Sequence, residues 1–120
     1  MSPWRVRVLV MGGGSVGALA RHLVVSGLEA TGSWPVGTLA VNATGSAVLG
    51  WLIGRVDRGA PSWLIPLAGA GVLGAFTTFG AFVVQILEDP LAGIAYALVS
   101  VGAGLLGALG GMRLAGRPYR

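Results

Sequence analysis

The chain has 120 residues, 54% hydrophobic and 10% charged, with a mean hydropathy of +0.80. A chain this short cannot hide so much apolar surface in one water-soluble core, because small domains expose much of their area, and lipid is the natural solvent for the remainder. The absence of Cys excludes disulfides and thiolate metal sites, and the net charge of +4, carried by Arg alone, sits at the ends of apolar runs rather than in a nucleic-acid-binding stripe.

Charged residues divide the chain into four apolar runs. The first begins after Arg7, and residues 8–20 alone fall short of the roughly 20 residues that a bilayer crossing needs. Two readings follow. One is a signal peptide, with Arg5 and Arg7 as its basic start and Ala18-Leu19-Ala20 as a cleavage site. The other is a longer span over about 6–28 that contains Arg21. Everything downstream is also membrane-like and leaves an export signal no soluble domain to serve, so the pattern predicts the span. The second run is uncharged from Ala30 to Gly54, and Pro35 marks the start of a helix over about 36–55. The third carries Pro61 and Pro66 near its beginning and predicts a span over about 62–87. The fourth opens at Pro90 and predicts one over about 91–113. Links at 29–32, 55–58 and 88–90 are too short to hold a domain. The fold expected is one all-α, four-span membrane domain over 1–120.

Four spans put both termini and the loop between spans two and three on one side. That side carries Arg5, Arg7, Arg55, Arg58, Arg113, Arg117 and Arg120; the other carries only Arg21, beside Glu29, Glu88 and Asp89. The positive-inside rule then places both termini in the cytoplasm, as expected for a multi-pass protein of the cell inner (plasma) membrane. Trp4, Trp34, Trp51 and Trp63 fall near span ends, as aromatic belt residues do. The pairs Gly13-Gly17, Gly50-Gly54 and Gly107-Gly111 have the small-xxx-small spacing that lets helices approach closely.

Within span three, Gly74-Ala75-Phe76-Thr77-Thr78-Phe79-Gly80-Ala81-Phe82 is a weak helix former: glycines flank a β-branched pair. Either the helix breaks there, freeing carbonyls such as those of Gly74 and Thr77 for a small cation, or it stays intact with the Thr hydroxyls bonded back to the preceding turn. Asn42, the only Asn, lies well inside span two and needs a partner there. It serves either as glue between helices or as an amide donor to an anion. The ring edges of Phe79 and Phe82 carry positive partial charge, so they suit an anion site as well. Tyr96 and Ser100, one turn apart on span four, either present hydroxyls to a polar path or bond across helices. Arg21 either snorkels to the interface or attracts anions to a vestibule, and His22 beside it reads as an interfacial residue. All four acids lie in loops, so the carboxylate relay of a proton-coupled exporter is missing. With no nucleophile–base pair, P-loop or metal-ligand spacing, the sequence predicts no enzyme.

Gly13-Gly14-Ser15-Val16-Gly17-Ala18-Leu19-Ala20-Arg21, Gly37-Thr38-Leu39-Ala40-Val41-Asn42-Ala43-Thr44-Gly45-Ser46, and Gly74-Ala75-Phe76-Thr77-Thr78-Phe79 followed by Phe82 occur in this order, one per span. In these elements the chain resembles the CrcB/Fluc family of fluoride channels over nearly its whole length. The resemblance implies an antiparallel dimer that lets fluoride leak passively out of the cytoplasm, limiting its toxicity, through two pores lined at Asn42, Phe79 and Phe82. It also implies a structural sodium ion at the dimer centre, held by the backbone carbonyls of Gly74 and Thr77. Three positions depart from the family's pattern: Gly80 and Ala81 stand where Ser and Thr are common, and Gln85 where Glu is. A homodimer of antiparallel subunits must insert both ways, which the bias of seven Arg to one disfavours. The expectation is therefore half of a heterodimer with a homologous partner of opposite orientation. The alternatives are a non-conducting assembly partner and a small coupled multidrug-type exporter.

Overall fold

In the computed structural model the chain is helical nearly throughout, with residues 1–29 and 36–116 described and only the backbone described at residues 29, 80–82 and 85. The expectations for Trp34, Pro35, Arg117 and Arg120, and for the side chains of Phe82 and Gln85, lie outside the described residues.

Helix α1 spans Pro3–Glu29 without interruption and carries Arg21 within it. Pro3 opens it in the first turn, where a missing N–H costs nothing. Helix α2 spans Val36–Asp57. It ends in a Schellman motif: Ala60 N–H donates to Arg55 O at 3.0 Å, Gly59 N–H donates to Val56 O at 3.0 Å, and Gly59 takes φ 101°. Helix α5 spans Pro90–Ala115 and starts on an Asp89 cap, whose carboxylate accepts from Ala92 N–H at 3.3 Å. Pro90 follows the cap at the first helical position.

The third predicted span is two pieces. Helix α3 spans Ile65–Phe76 and α4 spans Gly80–Glu88, with residues 77–79 outside both. Thus three helices among the described residues are each long and apolar enough to cross a membrane, and the third run is not a fourth such helix. Most of α3, Ile65–Leu73, is wound as a π-helix, which the sequence pattern did not predict. Its end shows the wider winding directly, because Gly74 N–H reaches back five residues to Gly69 O as well as to Gly71 O. Gly69 and Gly71 lower the cost of leaving α geometry, since glycine favours it least among non-proline residues.

Close approaches at glycine fix how the helices run. Along α2 and α5 the facing residues rise together, from Ala43 with Gly107 through Ala47 with Gly111 to Gly54 with Ala115, so these helices are parallel. Along α1 and α3 they also rise together, Gly13 against Leu67 and Gly71, then Gly17 against Val72. Along α2 and α3 they run oppositely, Leu49 and Leu52 against Gly69 and Gly45 against Thr77. Direction therefore alternates from α1 through α2 to α3, and α5 runs with α2. Arg5, Arg7, Arg55, Arg58 and Arg113 gather at one end of the bundle. There Arg58 Nη1 donates to Ala115 O at 2.9 Å, tying the loop after α2 to the last turn of α5.

The molecule measures 44 × 33 × 22 Å, and its long axis is comparable to the depth of a bilayer with its headgroups. Helix α2 is the central element: 39% of its most apolar window is buried, against 11% in α1 and 17% in α5. The other helices turn large side chains such as Leu19, Leu98 and Leu106 outward, as a lipid-facing surface requires. Packing rests on the glycine seams. A Cβ on Gly111 would collide with the Ala47 carbonyl and stand 2.8 Å from Trp51 N, both backbone atoms that cannot swing aside. Around Gly102 there is nothing within 4 Å. Gly111→Ala is therefore expected to lose about 1–3 kcal/mol from overpacking. Gly102→Ala should be neutral or gain up to about 1 kcal/mol from helix propensity. Thermal unfolding in detergent compares the two; equal stabilities would mean that the α2–α5 seam is looser than described.

Candidate functional site

The weak stretch at 74–82 does break. Helix α3 ends at Phe76, and Thr77 turns to extended backbone with φ −81° and ψ 158°. The last helical bond runs from Thr77 N–H to Leu73 O at 3.0 Å, and the Thr77 hydroxyl donates to the same carbonyl at 2.9 Å. The hydroxyl back-bond and the break thus occur together rather than as alternatives. In an unbroken helix the next donor, Thr78 N–H, would serve Gly74 O. Here it donates to Asn42 Oδ1 at 2.8 Å, while Asn42 Nδ2 donates to Thr78 O at 3.0 Å.

Asn42 is 8% exposed, so this pair forms away from solvent. An unpaired backbone group in an apolar surrounding costs several kcal/mol, on the order of that for any buried amide. The carboxamide satisfies the N–H and C=O of one residue at once, and the backbone satisfies the carboxamide. Asn42 is therefore glue, but to the backbone of the broken segment rather than to a neighbouring side chain. Its NH₂ has two hydrogens, and the pair uses one. Gly45, three residues on, makes the docking possible: a Cβ there would lie 2.5 Å from Thr77 Cγ2 and 3.4 Å from Phe76 Cδ1.

A cleft of about 530 Å³ opens beside the break between α2, α3 and α5. Asn42, Gly74, Thr77, Thr78, Phe79 and Ser100 all line it, which brings together most of the residues that the sequence singles out. Phe79 is 75% exposed in the single chain. Ser100 is 3% exposed, and its hydroxyl has no hydrogen-bond partner among the described residues. Tyr96, one turn earlier, is fully buried and does not line the cleft. Arg21, half-buried on α1, is not part of it either. Two further lining residues stand out in the sequence only as parts of longer motifs: Gly45, which gives the break its seat, and Ser46, one helical turn after Asn42. The four-residue spacing of Asn42 and Ser46 was the available signal.

The walls carry no fixed charge. Asp57, Glu88 and Asp89 are exposed at helix ends, and no cluster of three His, Cys, Asp or Glu exists among the described residues. The groups at the break that could ligate a cation are backbone carbonyl oxygens. Diverting Thr78 N–H to Asn42 removes the α-helical donor from the Gly74 carbonyl, and the extended Thr77 leaves the helical ladder. Such an oxygen-only set fits a hard cation and no soft one.

The sequence matches, over residues 8–112, the family described as CrcB-like protein, Camphor Resistance (CrcB). It is 42% identical over 120 residues to the fluoride-specific ion channel FluC 1 of Symbiobacterium thermophilum, covering 89% of this chain and 94% of that one. It is 39% identical over 114 residues to the fluoride-specific ion channel FluC of Deinococcus radiodurans, covering 88% and 90%. It is 37% identical over 123 residues to the FluC channel of Phenylobacterium zucineum, covering 93% and 96%. The family match covers most of the chain, including the broken segment and the asparagine that holds it, and the chain belongs to the CrcB-like protein family.

Proposed function

We propose that this chain is a subunit of a passive, fluoride-selective channel that crosses the cell inner membrane four times, with α3 and α4 together forming the third crossing. The observation that carries the reading is the broken, amide-held backbone at Thr78 beside a cleft without fixed charge. Irregular backbone at membrane depth is tolerated where it is buried in protein or lines a polar path. The alternating helix directions and the names of the relatives support it further.

Fluoride is small and strongly hydrated, so a path must replace its water without trapping it. In this reading the second amide hydrogen of Asn42, the Ser100 hydroxyl and the ring edges of Phe79 and Phe82 are weak, neutral partners of the needed sign. None carries a full positive charge, which keeps binding weak enough for the ion to leave. Arg21 lies toward the far end of α1 and raises anion concentration at a vestibule. The carbonyls of Gly74 and Thr77 would hold a sodium ion, whose charge would offset their clustered dipoles and fix the break. The single chain leaves the cleft open and Phe79 exposed, which suits closure by an antiparallel second subunit. Both termini face the cytoplasm, with the Arg-rich end.

The Arg bias favours a homologous partner of opposite orientation over a second copy. Liposomes carrying this chain alone are expected to release fluoride slowly, and liposomes carrying it with an opposite-orientation homologue to release it fast, as followed with a fluoride electrode. Fast release by the lone chain would sink the heterodimer.

Phe79 and Asn42 separate conduction from assembly. Phe79→Ile is expected to cut fluoride efflux about tenfold or more at stability within about 0.5 kcal/mol of the parent. Asn42→Ala removes both bonds to Thr78 and should lower efflux together with stability, the latter by about 1–3 kcal/mol. Efflux and thermal unfolding are measured on the same assembled preparations. A Phe79→Ile protein that loses complex formation while the assembled fraction still conducts at the parent rate would mark an assembly partner instead.

A further inference from the structure

Hydroxyls within apolar helices commonly donate to the carbonyl four residues back. Ser15, Thr44 and Thr77 do so, to Met11, Ala40 and Leu73. Ser100 does not: its Oγ is buried and without a partner among the described residues. An unpartnered hydroxyl in dry surroundings is costly, so its place on the cleft wall marks a position that something else completes.

Ser46 lies on the same wall. It follows Asn42 by one helical turn, so both side chains leave α2 on the same face. Across from it stands Gly104, where a Cβ would come within 3.3 Å of Ser46 Oγ. Gly104 in turn follows Ser100 by one turn of α5. Asn42 and Ser46 from α2 and Ser100 from α5 therefore border one cleft, and any side chain at Gly104 would crowd the Ser46 hydroxyl.

We infer that Ser46 contacts the permeating anion, forming with Ser100 a hydroxyl pair one step along the cleft from Asn42, and that Gly104 keeps this step open. The inference rests on the anion path proposed above. Two O–H donors suit a small, strongly hydrated anion, because each replaces a bond to water and neither holds the ion by charge. Asn42 alone has one amide hydrogen outside its bonds to Thr78, so it cannot complete such a shell. A wider side chain at position 104 would fill the space that the anion needs.

The test compares Ser46→Ala, Ser46→Thr and Gly104→Val with the parent chain, each assembled with the same partner. Fluoride efflux from liposomes is one readout; broadening of the fluoride ¹⁹F resonance by the detergent-solubilised protein is the other and does not require conduction. Ser46→Ala should lose about tenfold in efflux, the scale of one hydrogen bond to a charged group, and should broaden the line less. Its melting temperature and assembled fraction should match the parent's. Ser46→Thr keeps the hydroxyl and should stay within about twofold. Gly104→Val should abolish both signals. If the parent conducts and Ser46→Ala conducts equally, or Ser46→Ala and Ser46→Thr lose equally, the inference fails and the anion path stands. If the parent binds without conducting, the same comparison of line widths decides. A parent that neither conducts nor broadens the line overturns both.

Discussion

The two hydrogen bonds between Asn42 and the backbone of Thr78 are the constraint on which the rest of the site depends. A chain that interrupts a helix among apolar neighbours exposes at least one N–H and one C=O with no water to receive them. Few side chains can satisfy both on one residue, since this takes a donor and an acceptor on one short planar group. Asn does so from a neighbouring helix only if the backbones lie close, and Gly45 provides that closeness where any larger residue would strike Thr77. The pair also fixes register. With Thr78 held, the cleft residues on α2 and those at the break keep a constant relation, and α4 restarts at Gly80 in a defined place.

That clamp needs a stiff frame, and the glycine seams supply it. Helices in lipid gain little from hydrophobic association, because the lipid tails are as apolar as the side chains. They gain instead from contact area, which grows as backbones approach. Gly107 and Gly111 set α5 against α2, and Gly13 and Gly17 set α1 against α3. Asn42 and the α5 seam lie on the same central helix, so the break, the amide and Ser100 are positioned through α2. The Arg58 bond to Ala115 O closes the frame at one end, where the guanidinium crosses Gly116 at φ 118°, a backbone conformation that glycine tolerates best.

Much of this is written locally in the sequence, and what is not written is long-range. Helix α1 over Pro3–Glu29 starts three residues before its expected bound because Pro3 opens it outside the apolar run, and α5 over Pro90–Ala115 starts one residue early on the Asp89 cap and runs two residues past its expected end. Gly59 followed by Ala60-Pro61 spells a helix stop. The weakness at Thr77-Thr78 is visible in composition. Its partner, 36 residues away, is not, and so Asn42 could be read as helix glue or anion donor but not as the clamp of a break. The π-winding of Ile65–Leu73 has no local signature beyond its glycines and Pro66. Arg58 reads as a charge that sets orientation, and only folding shows that it also caps a helix.

Under the proposed function, the single chain is unfinished by itself. The Ser100 hydroxyl is buried and without a partner among the described residues, Phe79 is exposed, and the cleft beside the clamp stands open. Lipid tails carry no donors or acceptors, so they cannot complete a site of amides, hydroxyls and carbonyls. Under the proposed function, what closes the cleft is protein that brings polar groups of its own and lies antiparallel to this chain. A second copy would have to insert with Arg5, Arg7, Arg55, Arg58 and Arg113 on the side that the positive-inside rule disfavours. In that proposal the charge that would fix the orientation of this chain also limits what could complete its pore, and both follow from where the arginines fall along four apolar runs.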